Sequence, residues 1–227
     1  MSDRHTLHPF EESLASLRDN ILMMGSLAER NLTNAANGLI RRDQELCNNA
    51  IVDDEEIDIL EKQIDSQGME IITRFQPVAS DLRVVVAAMR IGSNLERVAD
   101  QAVSIARRAR KLNQHPKIQE SILIETMIQK TIALFKDSLR AFSDRNMDLA
   151  LTLKERDREI DRINAEISGQ FTDAIGFNLE QIRGYMNLIF IARNLERVGD
   201  HATNIAEDVV FAESAEDIRH SYKKPEN

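Results

Sequence analysis

Four pairs of acidic residues, each spaced by four positions, could do chemistry: Asp54 with Asp58, Glu96 with Asp100, Asp157 with Asp161, and Glu196 with Asp200. On a helix that spacing places both carboxylates one turn apart on one face. Like charges so placed cost a helix roughly 0.2–0.5 kcal/mol per pair. Arg97 and Lys62 stand within reach of Asp100 and Asp58, and Arg197 and Arg158 within reach of Asp200 and Asp161. Glu96 and Asp54 have no basic residue three or four positions away. Carboxylates facing one another across helices about 8–10 Å apart make an all-oxygen site for a hard or borderline cation: Mg²⁺, Mn²⁺, Ca²⁺ or iron. Zinc would ordinarily want His or Cys. For one pair alone, a solvated face bridged to arginines is the better explanation. What turns the balance toward a cation site is that the pairs recur in order.

The segments that carry them are duplicated. Asn94 to Ala106 aligns with Asn194 to Ala206 at an offset of 100, with nine of thirteen positions identical. Upstream, Asp54-Glu-Glu-Ile-Asp58 aligns with Asp157-Arg-Glu-Ile-Asp161 at an offset of 103. Two motifs in the same order at nearly the same offset indicate an internal repeat. Gly (8) and Pro (4) are too scarce for a β-sandwich, which leaves long helices with few breaks.

Each copy reads as three helices. The first runs from about Pro9 to Arg41, with Phe10, Leu14, Leu17, Ile21, Met24 and Ala28 alternating at four and three. Asp43 is placed to cap the second helix, which continues to about Arg74 on Ile57, Leu60, Ile64 and Ile71; Arg145 and Asn146 mark the matching turn. Gln76-Pro77 stops the chain and Ser80 caps the third helix, while the second copy makes that turn with Gly176 and an Asn178-to-Gln181 capping box. The third helix keeps a strict seam at period 3.5 through Val84, Ala88, Ile91, Leu95, Val98, Ala102, Ile105 and Ala109. Gly184, Leu188, Ile191, Leu195, Val198, Ala202, Ile205 and Val209 repeat it. The expected fold is all-α: a tandem repeat of two antiparallel three-helix bundles, residues 9–112 and 118–212, with a linker at Asn113 to Pro116 and a disordered tail at 213–227. In this register Glu96, Asp100, Glu196 and Asp200 turn away from the seam, so a metal would lie on the bundle surface. Glu61, Asn204 and Glu207 extend the stripes in one copy each.

Composition narrows the function. A net charge of −9 argues against nucleic acid as the main partner, despite the basic run Arg107 to Lys111, which reads as a helix end complementing its own dipole. No apolar run is long enough to span a bilayer and Met1 to Glu12 is not a signal peptide, so the cytoplasm is the expected compartment. Cys47 is the one cysteine and reads as a small buried apolar residue. A ferritin-like di-iron oxidase needs Glu-x-x-His on two helices, and no histidine here has Glu three positions before it. His201, beside Asp200, reads as a bystander rather than a phosphorylation site, since its counterpart is Gln101. With no nucleophile–base pair and no glycine-rich phosphate loop, an enzyme is the weaker reading; its one form with support is a carboxylate-bridged metalloenzyme.

Gln76-Pro-Val-Ala-Ser-Asp-Leu-Arg83, Asn94-Leu-Glu-Arg-Val-Ala-Asp100 and above all Ala192 to Glu207 resemble the PhoU family of bacterial phosphate-signalling regulators, and the resemblance extends from about Pro9 to Phe211. It implies two three-helix bundles with pseudo-twofold symmetry and no enzymatic activity. The family's metal motif, an acid-x-x-x-Asp pair on adjacent helices where some members hold iron clusters, falls on Asp54, Asp58, Glu96, Asp100, Asp157, Asp161, Glu196 and Asp200. The resemblance leaves the metal as iron, manganese or magnesium, in a divalent or trivalent state. It further implies a cytoplasmic protein, often a homodimer, that holds down phosphate uptake and the phosphate-starvation response. Its implied partners are the ATPase subunit of the phosphate importer and the phosphate-sensing histidine kinase, with membrane contact only through them. Ala99, Gln101 and Ser104 stand where the second copy has Gly199, His201 and Asn204, so the two sites are expected to differ.

Overall fold

The computed structural model describes residues 3–118, 122–216 and 218. The chain runs α1 (Asp3–Ile40), α2 (Gln44–Val52), α3 (Asp54–Phe75), α4 (Ser80–Leu112), α5 (Ile122–Asp144), α6 (Met147–Phe177) and α7 (Ile182–Ser214), with a 3₁₀ turn at Leu179–Gln181. The first bundle is α1, the α2–α3 rod and α4; the second is α5, α6 and α7. Residues of the expected tail from 219 on, and 217, lie outside the described residues, while α7 itself reaches Ser214.

The seam positions make the core. From Ile91 through Ala109 every expected α4 seam residue is buried, as is every one from Leu188 through Val209 on α7. The two bundles meet chiefly where α4 packs on α7. Arg90 reaches Asp208, Asn94 reaches His201, and Arg108 reaches Asn187, so the two helices run antiparallel. The α1 and α5 helices also cross between bundles, with Lys136 Nζ 2.9 Å from Glu29 Oε1. Gly25 permits that approach, since a Cβ there would stand 2.7 Å from Leu139 Cδ2. Both inter-bundle contacts therefore obey one pseudo-twofold relation.

The inter-helix turns carry sequence logic, with four departures from expectation. Asp43 accepts from Glu45 N and Leu46 N at 2.8 and 3.1 Å, so the expected cap forms, and at the matching turn Asn146 caps α6 by accepting from Leu149 N at 2.9 Å. Before each, Arg42 and Arg145 take left-handed backbone (φ 58° and 51°). The second helix of the first copy, however, breaks at Asp53. Asn48, Asn49, Ile51, Val52 and Asp53 are all weak helix formers, whereas the matching stretch of α6 holds Leu151, Leu153, Lys154, Glu155 and Arg156. Ser80 is no cap: it is the first residue of α4, and Asp81 N and Arg83 N are satisfied by Val78 O and Ala79 O. Asn178 and Gln181 form no capping box, because the tighter turn sends Gln181 N to Asn178 O and starts α7 at Ile182, with Gly176 still inside α6. Finally, α1 begins at Asp3 and takes Pro9 into its body, with Ser13 Oγ donating to Pro9 O at 2.8 Å.

Candidate metal centre

The acid pairs lie on neighbouring helices within each bundle, α3 with α4 and α6 with α7, and these helices pack side by side. Electrostatics shows that the pairs feel one another. Glu96 is pushed up to about 7, first by burial, then by Asp100, Glu61 and Asp58, with Arg97 opposing. The Asp54 carboxyl is raised by burial, by Asp58 and by Asp100, with Arg107 opposing. In the second bundle Asp157 is pushed up to about 7 by burial, by Asp161, by Asp200 and by Glu196, while the Thr203 hydroxyl opposes. Asp200 rises to about 6 from partial burial of its carboxyl, then Glu196 and Asp161, with Arg197 opposing. Each bundle thus holds one patch of four mutually repelling carboxylates.

The patches are not wholly on the surface, as the seam register had suggested. Asp58, Asp161 and Asp200 are exposed, Asp54, Glu96, Asp100 and Glu196 are half-buried, and Asp157 is buried at 8% exposure. The reason for Asp157 is Gly199 on the facing helix: a Cβ there would lie 2.5 Å from Asp157 Oδ1. At the matching place in the first bundle stands Ala99. Asp157 Oδ1 and Glu96 Oε2 are both shielded from solvent and accept no well-formed hydrogen bond; Glu96 Oε2 has only the long contact to Arg97 Nε, and Asp157 the nearby Thr203 hydroxyl. Leaving such an acceptor unpaired costs about 1–3 kcal/mol.

The neighbouring cations follow the helical-spacing expectation at Asp100 and Asp200 and add contacts it did not include. Arg97 bridges Asp100 at 3.5 Å as expected, but its Nε also lies 3.3 Å from Glu96 Oε2, a contact between adjacent residues that a search at three and four positions misses. Arg158 turns to Glu155 at 2.7 Å, and Lys62 acts on Glu61. Glu61, raised by burial, Asp65 and Asp58, belongs to the first patch through its effect on Glu96. Glu207 and Asn204 do not extend the second patch. The buried Glu207 pairs with Lys154 at 2.9 Å, and Asn204 Nδ2 donates to Asn94 Oδ1 at 3.2 Å. His201 was read as a bystander, yet its Nδ1 lies 3.0 Å from Asn94 Oδ1, tying α7 to the helix of the first patch; burial and then Arg97 hold it neutral-leaning. Its partner lies 107 positions away, which no local pattern reveals. Cys47 is buried, and burial with Asp43 nearby pushes its thiol up to about 11, which makes it inert.

The donor set suits a hard cation, since every group is a carboxylate oxygen, two shielded oxygens accept no well-formed hydrogen bond and the carboxylates repel one another. Among the described residues no three acidic, histidine or cysteine side chains converge as closely as a metal shell requires. The patches are therefore open arrays that side-chain rotation and water would have to complete.

A PhoU domain matches residues 21–109 and again residues 124–209, each match lying within one bundle and covering its acid pairs. The chain belongs to the PhoU family. A phosphate-specific transport system accessory protein PhoU homolog of Xylella fastidiosa is 31% identical over 99% of this chain and 93% of its own length. The homolog of Zymomonas mobilis is 38% identical, covering 92% and 88%. The crystal structure of PhoU from Pseudomonas aeruginosa superposes with a TM-score of 0.88 at 31% identity, over 89% of this chain and 98% of that one. The phosphate transport system regulatory protein PhoU from Streptococcus pneumoniae gives 0.83 at 26%, over 92% and 99%. This PhoU-family chain thus has the tandem bundle architecture along its full repeat.

Proposed function

We propose that the protein is an accessory protein of phosphate-specific transport that holds down phosphate uptake and phosphate-starvation signalling when phosphate is plentiful. In this reading it is an adaptor between the ATPase of the phosphate importer and the phosphate-sensing histidine kinase. The observation that carries it is the end-to-end correspondence with named accessory proteins, covering both bundles rather than one shared domain. The protein acts in the cytoplasm as a homodimer and meets the membrane only through its partners. In keeping with this, no helix among the described residues is long and apolar enough to cross a bilayer.

The carboxylate patches serve this role as metal sites. Asp54, Asp58, Glu96 and Asp100 would hold cations in the first bundle, joined by Glu61, and Asp157, Asp161, Glu196 and Asp200 in the second. Iron, manganese or magnesium bound there supplies positive charge to carboxylates that otherwise repel, which stiffens α3 against α4 and α6 against α7. Support comes from the raised Glu96 and Asp157 carboxyls and from their shielded oxygens, which accept no well-formed hydrogen bond.

Deleting the gene tests the regulatory reading. Phosphate-starvation reporter output should rise in phosphate-rich cells, and the wild-type chain in trans should lower it again. Unchanged output after deletion would sink the regulatory reading.

A further inference from the structure

The basic run near the end of α4 was read as a helix end complementing its own dipole, and the fold gives it a second partner. Because α4 and α7 are antiparallel, that run lies beside the first turns of α7. There Ile182, Met186 and Phe190, spaced by four, are 41, 41 and 37% exposed, and the turn before them exposes Phe177 and Leu179 at 93 and 71%. Arg108 stacks its guanidinium 4.1 Å above the Phe190 ring and donates to Asn187 Oδ1 at 3.4 Å. Arg183 and Arg193, both exposed, flank the same stripe and make no ion pair among the described residues. Helical geometry puts Arg193 within about 20° of Ile182 around the axis at 3.6 residues per turn.

The pseudo-equivalent place at the other end of the α4–α7 pair is built otherwise. Leu82, 36% exposed, and the half-buried Val86 keep the apolar character of Ile182 and Met186, but Arg90 replaces Phe190 and Ser93 replaces Arg193. Arg90 there pairs with the buried Asp208 at 3.5 Å and stacks on Phe211 at 5.2 Å. Repeat symmetry therefore does not explain the full stripe through Phe190 or the Arg193 at its rim. A folded chain seldom leaves a contiguous apolar stripe rimmed by cations in water without a use for it.

We propose that the Ile182–Met186–Phe190 face of α7, with Arg108, Arg183 and Arg193 at its rim, docks an acidic amphipathic helix of a partner protein. Apolar residues at four-residue spacing match the apolar face of one helix laid along another. The exposed guanidinium groups of Arg183 and Arg193 can recognise carboxylates bidentately. A second copy meeting this face about a twofold axis would set the arginines against themselves. An anionic membrane would face the whole chain, whose net charge of −9 opposes it. A short acidic helix feels only local charge, since screening acts within about 8 Å in physiological salt. The proposal extends the adaptor reading but does not depend on metal in the carboxylate patches.

The probe is a fluorescein-labelled helical peptide of about 15 residues, long enough to cover the roughly 17 Å from Ile182 to Arg193 at 1.5 Å per residue. It carries Leu and Phe on one face and Glu on the other, and a twin carries Lys in place of Glu. By fluorescence anisotropy the full-length protein should bind the Glu peptide, and M186E and R193E should each weaken it by about tenfold or more. L82E, at the pseudo-equivalent place, should change nothing. Equal binding of the Lys twin, or unchanged binding by M186E and R193E, overturns the proposal. So does sedimentation with phosphatidylglycerol vesicles that M186E abolishes while the Glu peptide fails to bind, which makes the face a membrane contact. Self-association in light scattering that M186E alone abolishes overturns it in favour of a second copy. All substituted side chains are at least a third exposed, so an unchanged Tm checks that folding is intact. In cells lacking the gene, M186E should fail to restore repression; if the wild-type chain also fails, the adaptor reading falls and peptide binding still decides the surface.

Discussion

The two carboxylate patches share their four acids and differ in which carboxyl is raised furthest. In the first bundle it is Glu96, on α4, under the Arg97 side chain that also reaches Asp100. In the second it is Asp157, on α6, seated against Gly199. A methyl group distinguishes the facing positions: Ala99 stands in the first bundle where Gly199 stands in the second, and a Cβ at Gly199 would meet Asp157 Oδ1. The helix carrying the opposing pair differs too, since Asp54 opens α3 after the break at Asp53 whereas Asp157 lies inside the unbroken α6. A duplicated motif therefore preserves ligand chemistry while its setting drifts, and the two patches should bind cations with different affinities.

The most drastic way to break the comparison is to remove acids from one bundle. Alanine at Glu96 and Asp100 should abolish metal binding in the first bundle and leave the second loaded, read by elemental analysis of protein purified without chelators. Alanine at Asp157 and Asp200 should do the reverse. If all the metal stays in both double variants, the acids form only a solvated face.

Exchanging the methyl group sharpens the comparison. Gly199→Ala should push Asp157 toward solvent, because the new Cβ would otherwise sit 2.5 Å from Oδ1. Carboxyl-carbon NMR should then show Asp157 titrating well below its present value of about 7, toward the ordinary carboxylate range. Stability should change little: a helical Gly→Ala gains about 0.5–1 kcal/mol, offsetting the cost of moving a short side chain. An unmoved Asp157 titration would show that Gly199 does not set the difference.

How much of this was legible in the sequence follows from the range of the interactions. The seam residues Leu95, Val98, Leu195 and Val198 are buried as their spacing requires, because helical periodicity is local and the core imposes it. The Asp43 cap and the matching turn at Asn146 are visible for the same reason. Ser80 and the Asn178 turn misled because several ways of satisfying a helix's first amides compete, and residue type alone does not choose among them. The acid pairs were legible as pairs on adjacent helices, and their electrostatic coupling agrees with that placement. The burial of Asp157 was not, since it depends on a glycine 42 positions away whose role appears only when α6 and α7 are packed. His201 to Asn94 was hidden likewise, as a contact between the two copies.

Both patches contribute a pH-dependent share of stability, and a substitution in one isolates its share. The folded-state values of Glu96 and Asp157 lie above the usual carboxylate values, so the folded metal-free protein holds more protons than the unfolded chain between about pH 4 and 7. Its stability should therefore fall as pH rises through that window. Asp157→Asn removes the second bundle's share and should raise the metal-free Tm at pH 8 by about 2–4 °C, the effect of roughly 1 kcal/mol in a chain of this size. At pH 4, where Asp157 is already protonated, the same substitution should leave Tm nearly unchanged. A Tm gain equal at both pH values would mean that the asparagine acts through packing rather than charge.

Arg97→Ala should have the smallest effect and isolates what the first bundle alone possesses. The guanidinium is 57% exposed, and its bridges to Glu96 and Asp100 are long at 3.3 and 3.5 Å. Exposed pairs of that kind contribute at most about 1 kcal/mol, so Tm should move by no more than a few degrees. The informative readout is the titration of Glu96. Arg97 is the cation that opposes its upward shift, so removing it should drive Glu96 above its present value of about 7. Asp157, which owes nothing to Arg97, should titrate as before. Were both carboxyls to move together, the patches would be coupled across the α4–α7 contact, and the contrast between them would be one of degree rather than of independent design.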